Sequence, residues 1–240
     1  MDDKRYRDII SSLEYLGLEC PDRVAGLMVQ YYDSLIETNR AMNLTRITEW
    51  REAVIKHFTD SLSLMKYYSF SAGSRVLDLG TGAGFPGVPL AICFPSVQFL
   101  LMDSVAKKLR FIEETCSELK IENVAVIHGR AEELGRNNNY REKFDTVLSR
   151  AVGELSILTE FCLPFVKNGG VFTAYKSETV NNEIPEAGNA IKLLGGEIRE
   201  TPSFSLTESG PKRTLVIIKK VRTTPGKYPR KPGIPAKNPL

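Results

Sequence analysis

The residues best suited to chemistry form one block, Val76-Leu77-Asp78-Leu79-Gly80-Thr81-Gly82-Ala83-Gly84-Phe85-Pro86-Gly87. An apolar run carries an acid near its end, then has glycine at every second position, then a helix start. Without Cβ atoms the backbone can turn sharply and come close to a ligand. The helix that follows would aim its unpaired N–H groups back at that ligand. Asp78 falls at the carboxyl end of the strand, where open α/β sheets bind ligands.

Two ligand classes compete for this loop. Gly82-Ala83-Gly84-Phe85-Pro86-Gly87 matches G-x-G-x-x-G, which could mean a dinucleotide fold. In that fold the first glycine follows the strand directly, whereas here the strand stops at Leu79 and the match begins three residues later, at Gly82. An acid two residues before Gly80 would repel a pyrophosphate but suits the zwitterionic methionine moiety of S-adenosylmethionine. Pro86 fits a first helical turn, where a missing N–H costs nothing. The block therefore points to S-adenosylmethionine held by Asp78, Gly80, Gly82 and Gly84.

Such a ligand needs more than its glycine loop. Its ribose diol needs an acceptor at the end of the second strand, where Asp103-Ser104 stands; helix capping is a compatible role there. Its adenine needs a contact after the third strand, where Gly129-Arg130-Ala131-Glu132 follows. The backbone of Ala131 and Glu132 could bond the adenine edge, or Glu132 could be a simple helix-start acid. The acceptor site belongs after the fourth strand, at Ser149-Arg150-Ala151. No Asn/Asp-Pro-Pro-aromatic motif stands there, as amino-group methylation would use, and no Pro-Cys nucleophile; Cys162-Leu163-Pro164 lies a helix away in reverse order. The acceptor is then one that needs neither device. Guanine N7 qualifies, because it offers a lone pair and has no proton to lose. Positioning supplies most of the rate. Arg150 could hold the methionine carboxylate or direct the guanine edge, which arginine recognises.

The elements that must position these residues alternate. Strands are expected near 75–79, 97–102, 123–128, 144–148 and 169–175, with helices near 86–94, 104–119, 154–165 and 181–194. That alternation implies a parallel sheet covered on both faces. Two late strands, near 197–205 and 213–220, flank Glu208-Ser209-Gly210-Pro211 and should pair as an antiparallel hairpin at the sheet's end. Residues 1–70 read as a helical extension, with Pro21 in a first turn and Thr48 as an N-cap. Residues 71–222 read as the α/β domain. Residues 223–240 read as a basic, Pro-rich, non-helical tail. His57 and Asp60 stand one helical turn apart and could bond each other, bracing the extension or contacting RNA. The lone Trp50 is expected to pack rather than stack on a base.

The composition is that of a globular protein, with 42% hydrophobic and 25% charged residues. No apolar run reaches membrane-spanning length, and Met1-Asp2-Asp3-Lys4-Arg5 has no signal core, so a cytoplasmic protein is expected. The four cysteines are scattered and only two histidines exist, so no metal site is expected. Net charge is +3, yet from Pro211 to Leu240 there are nine Lys/Arg and no Asp/Glu, while the first 210 residues carry 23 basic and 29 acidic residues. Such an asymmetry suggests a nucleic-acid partner, against the blander reading of a solubilising tail.

The motifs together resemble the bacterial 16S rRNA guanine-N7 methyltransferase family, RsmG, also called glucose-inhibited division protein B. The matching blocks are Asn43-Leu44-Thr45, His57 to Leu62, Asp78 to Pro89, Asp103-Ser104 with Lys107-Lys108, and Gly129 to Glu133. Ser149-Arg150-Ala151, Gly169-Gly170 through Lys176, and Lys227 to Gly233 complete the set. Val152-Gly153 and Ser177 depart from the common pattern. The resemblance implies a class I S-adenosylmethionine-dependent methyltransferase: a Rossmann-like seven-stranded sheet with a C-terminal antiparallel hairpin and an N-terminal helical extension. It implies cofactor contacts at Gly80, Phe85, Ala131, Glu132 and Arg150. The implied acceptor is a guanine N7 in the helix 18 loop of 16S rRNA, near the decoding centre. RNA contacts are assigned to Arg130, Lys176, Lys227, Arg230 and Lys231, in a chain acting as a monomer on 16S rRNA or a small-subunit precursor. A small-molecule methyltransferase of the same fold, or a non-catalytic RNA-binding module, are the competing readings.

Overall fold

The computed structural model describes residues 4–150 and 153–240. Met1, Asp2 and Asp3 of the amino-terminal stretch lie outside the described residues, as do Ala151 and Val152 beside Arg150. Two amphipathic helices open the chain, α1 (Lys4–Tyr15) and α2 (Asp22–Met42). Pro21 sits just before α2 rather than in its first turn, and Asn43 closes that helix in the left-handed conformation, φ 51°. A second helical run follows: α3 (Trp50–Ala53), a π-helical turn (Val54–Thr59), α4 (Asp60–Leu62) and a 3-10 turn (Ser63–Lys66). Its N-cap is Glu49, not the expected Thr48. The Glu49 carboxylate accepts from the Glu52 N–H at 2.8 Å, which the Thr48 hydroxyl, one residue earlier, does not do.

The rest alternates strand and helix as expected, with one short helix, α7, added: β1 (Arg75–Leu79), α5 (Gly87–Cys93), β2 (Gln98–Asp103), α6 (Ala106–Glu118), β3 (Val124–His128), α7 (Ala131–Leu134), β4 (Phe144–Arg150), α8 (Leu155–Cys162), β5 (Val166–Ser177) and α9 (Val180–Leu193). The last strands are β6 (Gly196–Glu200), β7 (Ser203–Ser205) and β8 (Lys212–Lys220), and α10 (Ile234–Lys237) ends the order. The sheet runs β3-β2-β1-β4-β5-β8-β6, with β7 also on β8. The first five strands are parallel, and β8 is antiparallel to β5, β6 and β7. The late strand expected near 197–205 is split at Thr201-Pro202, because proline has no N–H to give the ladder. β6 and β7 share one edge of β8, so the sheet keeps the seven-stranded plan. Strand order reverses between β1 and β4, the place where such sheets bind ligands.

Alternation along β1 sends Val76 and Leu77 to opposite faces. On one face Val76, Phe99 and Phe111 share a core with Ile9, Tyr31 and Phe58 of the N-terminal helices. That core crosses the boundary expected near residue 70 without a break. On the other face Leu77 packs with Val147, Leu158 and Phe172. Among the described residues no helix is long and apolar enough to cross a membrane, and no cluster of His, Cys, Asp or Glu could hold a metal.

The tail differs from its expectation. It contains one helical turn, α10, and it is fastened to the body. Arg141 donates to the carbonyls of Thr224 and Tyr228 at 2.8 Å each, and Arg136 to those of Lys227 and Pro229 at 2.9 and 2.8 Å. Arg230, expected on RNA phosphate, instead forks onto Glu160 of α8, with Nε to Oε1 at 2.9 Å and Nη2 to Oε2 at 2.6 Å. Glu160 is 1% exposed, so a cation had to meet it. Removing one partner of a buried pair costs about 3–5 kcal/mol. Arg230→Ala is therefore expected to lower the melting temperature by roughly 6–20 °C. A scanning-calorimetry shift under 2 °C would show the pair to be incidental.

Candidate active site

A cavity of about 640 Å³ opens at the carboxyl ends of β1 to β4. The glycine loop forms its floor, and its glycines divide by task. Gly82, φ +62°, lines the cavity, and a Cβ there would meet nothing within 4 Å. Gly84, φ +89°, does not line it; a Cβ there would collide with the Tyr31 hydroxyl and Val88. Tyr31 of α2 donates to the Ala83 carbonyl at 2.9 Å and meets Phe85 edge-on, with ring centroids 5.9 Å apart. The N-terminal helices thus set the height of the loop.

Asp78, expected against the methionine moiety, lies behind the loop and not in the cavity wall. It is fully buried. Its Oδ2 accepts from the Thr81 hydroxyl at 2.7 Å and the Gly87 N–H at 2.8 Å, while Oδ1 has no partner among the described residues. These bonds tie the loop's start to the helix that follows. Burial raises the carboxyl to about 6, against the pull of both hydrogen bonds.

Asp103 does line the cavity. Its Oδ2 accepts from the Gly82 N–H at 3.0 Å and its Oδ1 from the Val105 N–H at 2.9 Å. The second bond is a turn ahead of α6, which starts at Ala106; Asp103 is not the N-cap itself. The carboxylate joins the ends of β1 and β2 and keeps lone pairs for a ligand. Ser104 lines the same wall, with its carbonyl 3.0 Å from His128 Nε2. Arg130, Ala131 and Glu132 form the next wall at the start of α7, a four-residue helix too short to expect from periodicity. Glu132 is buried and accepts from the Gly233 N–H of the tail at 3.4 Å.

The opposite wall comes from the N-terminal extension, through Leu44 and Thr45 of the loop after α2 and His57 of the π-helical turn. Sequence reasoning gave these no cavity role; the break in helical pattern at Asn43-Leu44-Thr45 was the available signal. His57 stacks on Phe85 at 4.3 Å and 7°. Its Nε2 lies 3.1 Å from the Thr45 hydroxyl. The expected His57–Asp60 pair does not form, because the π-helical turn between them changes their relative direction. Burial, helped by the Arg150 charge, lowers His57 to about 3. Below its unfolded value of 6.5 the unfolded chain takes up a proton that the folded chain refuses, so stability falls as pH falls from 6.5 towards 3. From pH 7 to pH 5 this group alone should cost about 2 kcal/mol. Asp78, raised, acts in the opposite direction. His57→Gln removes only the first effect, so the variant should lose less stability than the parent in urea unfolding at pH 5. Equal losses would show that the imidazole charges freely in the fold.

Arg150 closes the site at the end of β4. Its Nη1 donates to the Lys56 carbonyl at 2.7 Å and to Asp60 Oδ2 at 3.1 Å, and its guanidinium lies 5.5 Å from the Phe85 ring centre. Asp60, 1% exposed, gives its other oxygen to Arg213 of β8 at 2.9 Å. Lys176 is placed on the Gly153 carbonyl at 2.9 Å and Glu183 at 2.7 Å, largely buried. Lys227 and Lys231 are exposed. Trp50 packs edge-on against Tyr32 at 4.8 Å and donates to Asp8 at 2.8 Å.

Solved structures share this architecture. A precorrin-6y C5,15-methyltransferase from Geobacter metallireducens aligns with a TM-score of 0.51 at 14% identity, over 73% of this chain and 92% of its own. A 16S rRNA (adenine(1408)-N(1))-methyltransferase variant from Catenulisporales acidiphilia aligns at 0.53 and 11% identity, over 63% and 87%. At these identities the likeness shows the class I methyltransferase fold. In sequence the chain is 49% identical to the ribosomal RNA small subunit methyltransferase G of Lachnoclostridium phytofermentans, over 96% of both chains. It is 46% identical to that of Alkaliphilus oremlandii over 94% of both. The GidB family, described as rRNA small subunit methyltransferase G, matches residues 25–215. That span takes in the N-terminal wall, the glycine loop, Asp103, Arg150 and Arg213, and the chain belongs to this methyltransferase family.

Proposed function

We propose that the protein transfers a methyl group from S-adenosylmethionine to N7 of a guanine in 16S rRNA, in the helix 18 loop to which the resemblance points, with no general base. The residues present fit the cofactor. Gly82 leaves open the volume that a side chain would fill, and the Asp103 carboxylate is preset by two backbone N–H groups to accept a diol. Ala131 and Glu132 edge the wall where adenine would lie. When bound, the cofactor supplies an electrophilic methyl: the N7 lone pair forms the C–N bond as the C–S bond breaks, leaving a neutral thioether and a cationic base.

The observation that carries the reading is the state of the groups that could take a proton. His57, held near 3, is a poor base. Asp103 and Glu132 are engaged by backbone N–H groups. Arginine stays protonated. A site so furnished suits an acceptor with no proton to lose. Arg150 and Phe85 orient the reacting groups. Arg130, Lys227 and Lys231, all exposed, are left to meet phosphates, whereas Arg230 and Lys176 are held by acids. The test is transfer of isotopically labelled methyl to 16S rRNA and to small subunits, followed by mass mapping. One 7-methylguanine is the expected product. Label on an exocyclic amine, or none, would overturn the reading.

A further inference from the structure

A second cavity, of about 360 Å³, adjoins the first, and His57 and Arg150 line both. Its volume lies in the range of ligand pockets. Its remaining walls are unlike those of the cofactor cavity. Tyr175 offers a ring, since its hydroxyl is already spent on the Ser61 carbonyl at 2.9 Å. Ile47 faces it from the N-terminal side. Lys56 and Lys176 are neutralised by Glu52 and Glu183. That leaves Arg150 and Arg213 against the single carboxylate of Asp60, one positive charge in excess. Arg213 spends only Nε on Asp60. Its two terminal nitrogens have no partner among the described residues, and its side chain is 25% exposed.

We infer that this second cavity receives the acceptor nucleotide, extruded from the RNA, with its base between Ile47 and the Tyr175 ring and its phosphate on the terminal nitrogens of Arg213. The inference rests on the methyl-transfer reading above and assigns that reading its acceptor site. An enzyme that works on a base must take it out of the stack and hold it in a pocket. The shared wall supplies the geometry, because Arg150 and His57 line both cavities and a purine in the second would present its edge to the cofactor at the seam beside them. Asp60 is the positioning residue. One buried carboxylate fixes the arginine of the cofactor cavity with one oxygen and the arginine of the acceptor cavity with the other. The acid is almost wholly enclosed, so an arginine that turned away would leave one of its buried oxygens without a charged donor.

The test uses the full-length protein, S-adenosylmethionine and small-subunit rRNA. Arg213→Gln should leave cofactor affinity within twofold of the parent. It should raise KM for rRNA by roughly 10- to 150-fold, the worth of a charged hydrogen bond, with kcat little changed. The log–log salt slope of RNA binding should flatten by about 1, as for one lost phosphate contact, and Arg213→Lys should restore it. Should Arg213→Gln fail to fold, Ser177→Phe decides: Ser177 lines the cavity opposite Arg213 on the β5–β8 ladder and makes no ion pair itself, so the larger ring fills the space and should abolish methyl transfer at saturating cofactor. Unchanged KM and salt slope in the first variant, or full activity in the second, would overturn the inference while the parent still methylates rRNA. A parent that does not methylate rRNA overturns the underlying reading, and the acceptor pocket falls with it.

Discussion

Gly82→Val is expected to abolish S-adenosylmethionine binding in a protein that still folds. The backbone at Gly82 has φ +62° and contributes its N–H to Asp103. A Cβ there meets no atom within 4 Å, so the valine methyls would project into the cavity rather than into the core. The left-handed conformation would add strain of about 1–3 kcal/mol, which a domain stable by roughly 5–15 kcal/mol can absorb. The ligand cannot absorb the lost volume. Calorimetric titration of the folded variant should show no measurable heat of binding. Affinity near that of the parent would mean that the loop holds something else. Gly84→Ala is the contrasting case. Its methyl meets Tyr31 and Val88, so it should lose stability first, and binding only as a result.

Arg150→Lys should reduce single-turnover methyl transfer by about 100-fold or more, the scale of an ångström-level misplacement. Charge is conserved in this change, and the planar fork is not. The guanidinium reaches the Lys56 carbonyl, Asp60 and the face of Phe85 together. An ammonium on a flexible stem cannot keep all three. Arg150→Ala should be impaired at least as much. Neither variant should recover between pH 6 and pH 9, because no proton moves in the transfer. A lysine variant at the parent's rate would make the fork irrelevant. Rescue at high pH would reveal a proton-transfer step and put the N7 acceptor in question.

The parts of this site legible in the sequence are those written in a few consecutive residues. The glycine loop declares itself because turn, strand end and helix start are neighbours in the chain. Asp103 does so because it ends an apolar strand. Side-chain direction was harder. Asp78 has the expected position, but the path of the loop turns its carboxylate to the back, where it holds Thr81 and Gly87. Pairings across long separations were not legible. Asp60 meets Arg150 and Arg213 over 90 and 153 residues, and Arg230 meets Glu160 over 70. A cue for the last did exist. Glu160 is the one charged residue in Leu155-Ser156-Ile157-Leu158-Thr159-Glu160-Phe161-Cys162, and such a residue needs a cation when its helix is buried. The turn α7 escaped because four residues carry no period.

The way the tail is fastened bears on how lesions in the coding sequence should be read. No residue after Arg213 lines either cavity, so a stop codon at position 223 spares every cavity-lining residue and removes, of the residues assigned to RNA phosphates, only Lys227 and Lys231. It nevertheless strips Glu160 of Arg230 and, among the described residues, leaves Arg141 with the Gly135 carbonyl alone. An unpaired buried acid costs about 3–5 kcal/mol, a large share of a domain's stability. Late truncations should therefore behave as null alleles through loss of protein rather than loss of chemistry, and immunoblots of such strains should show little or none of the chain.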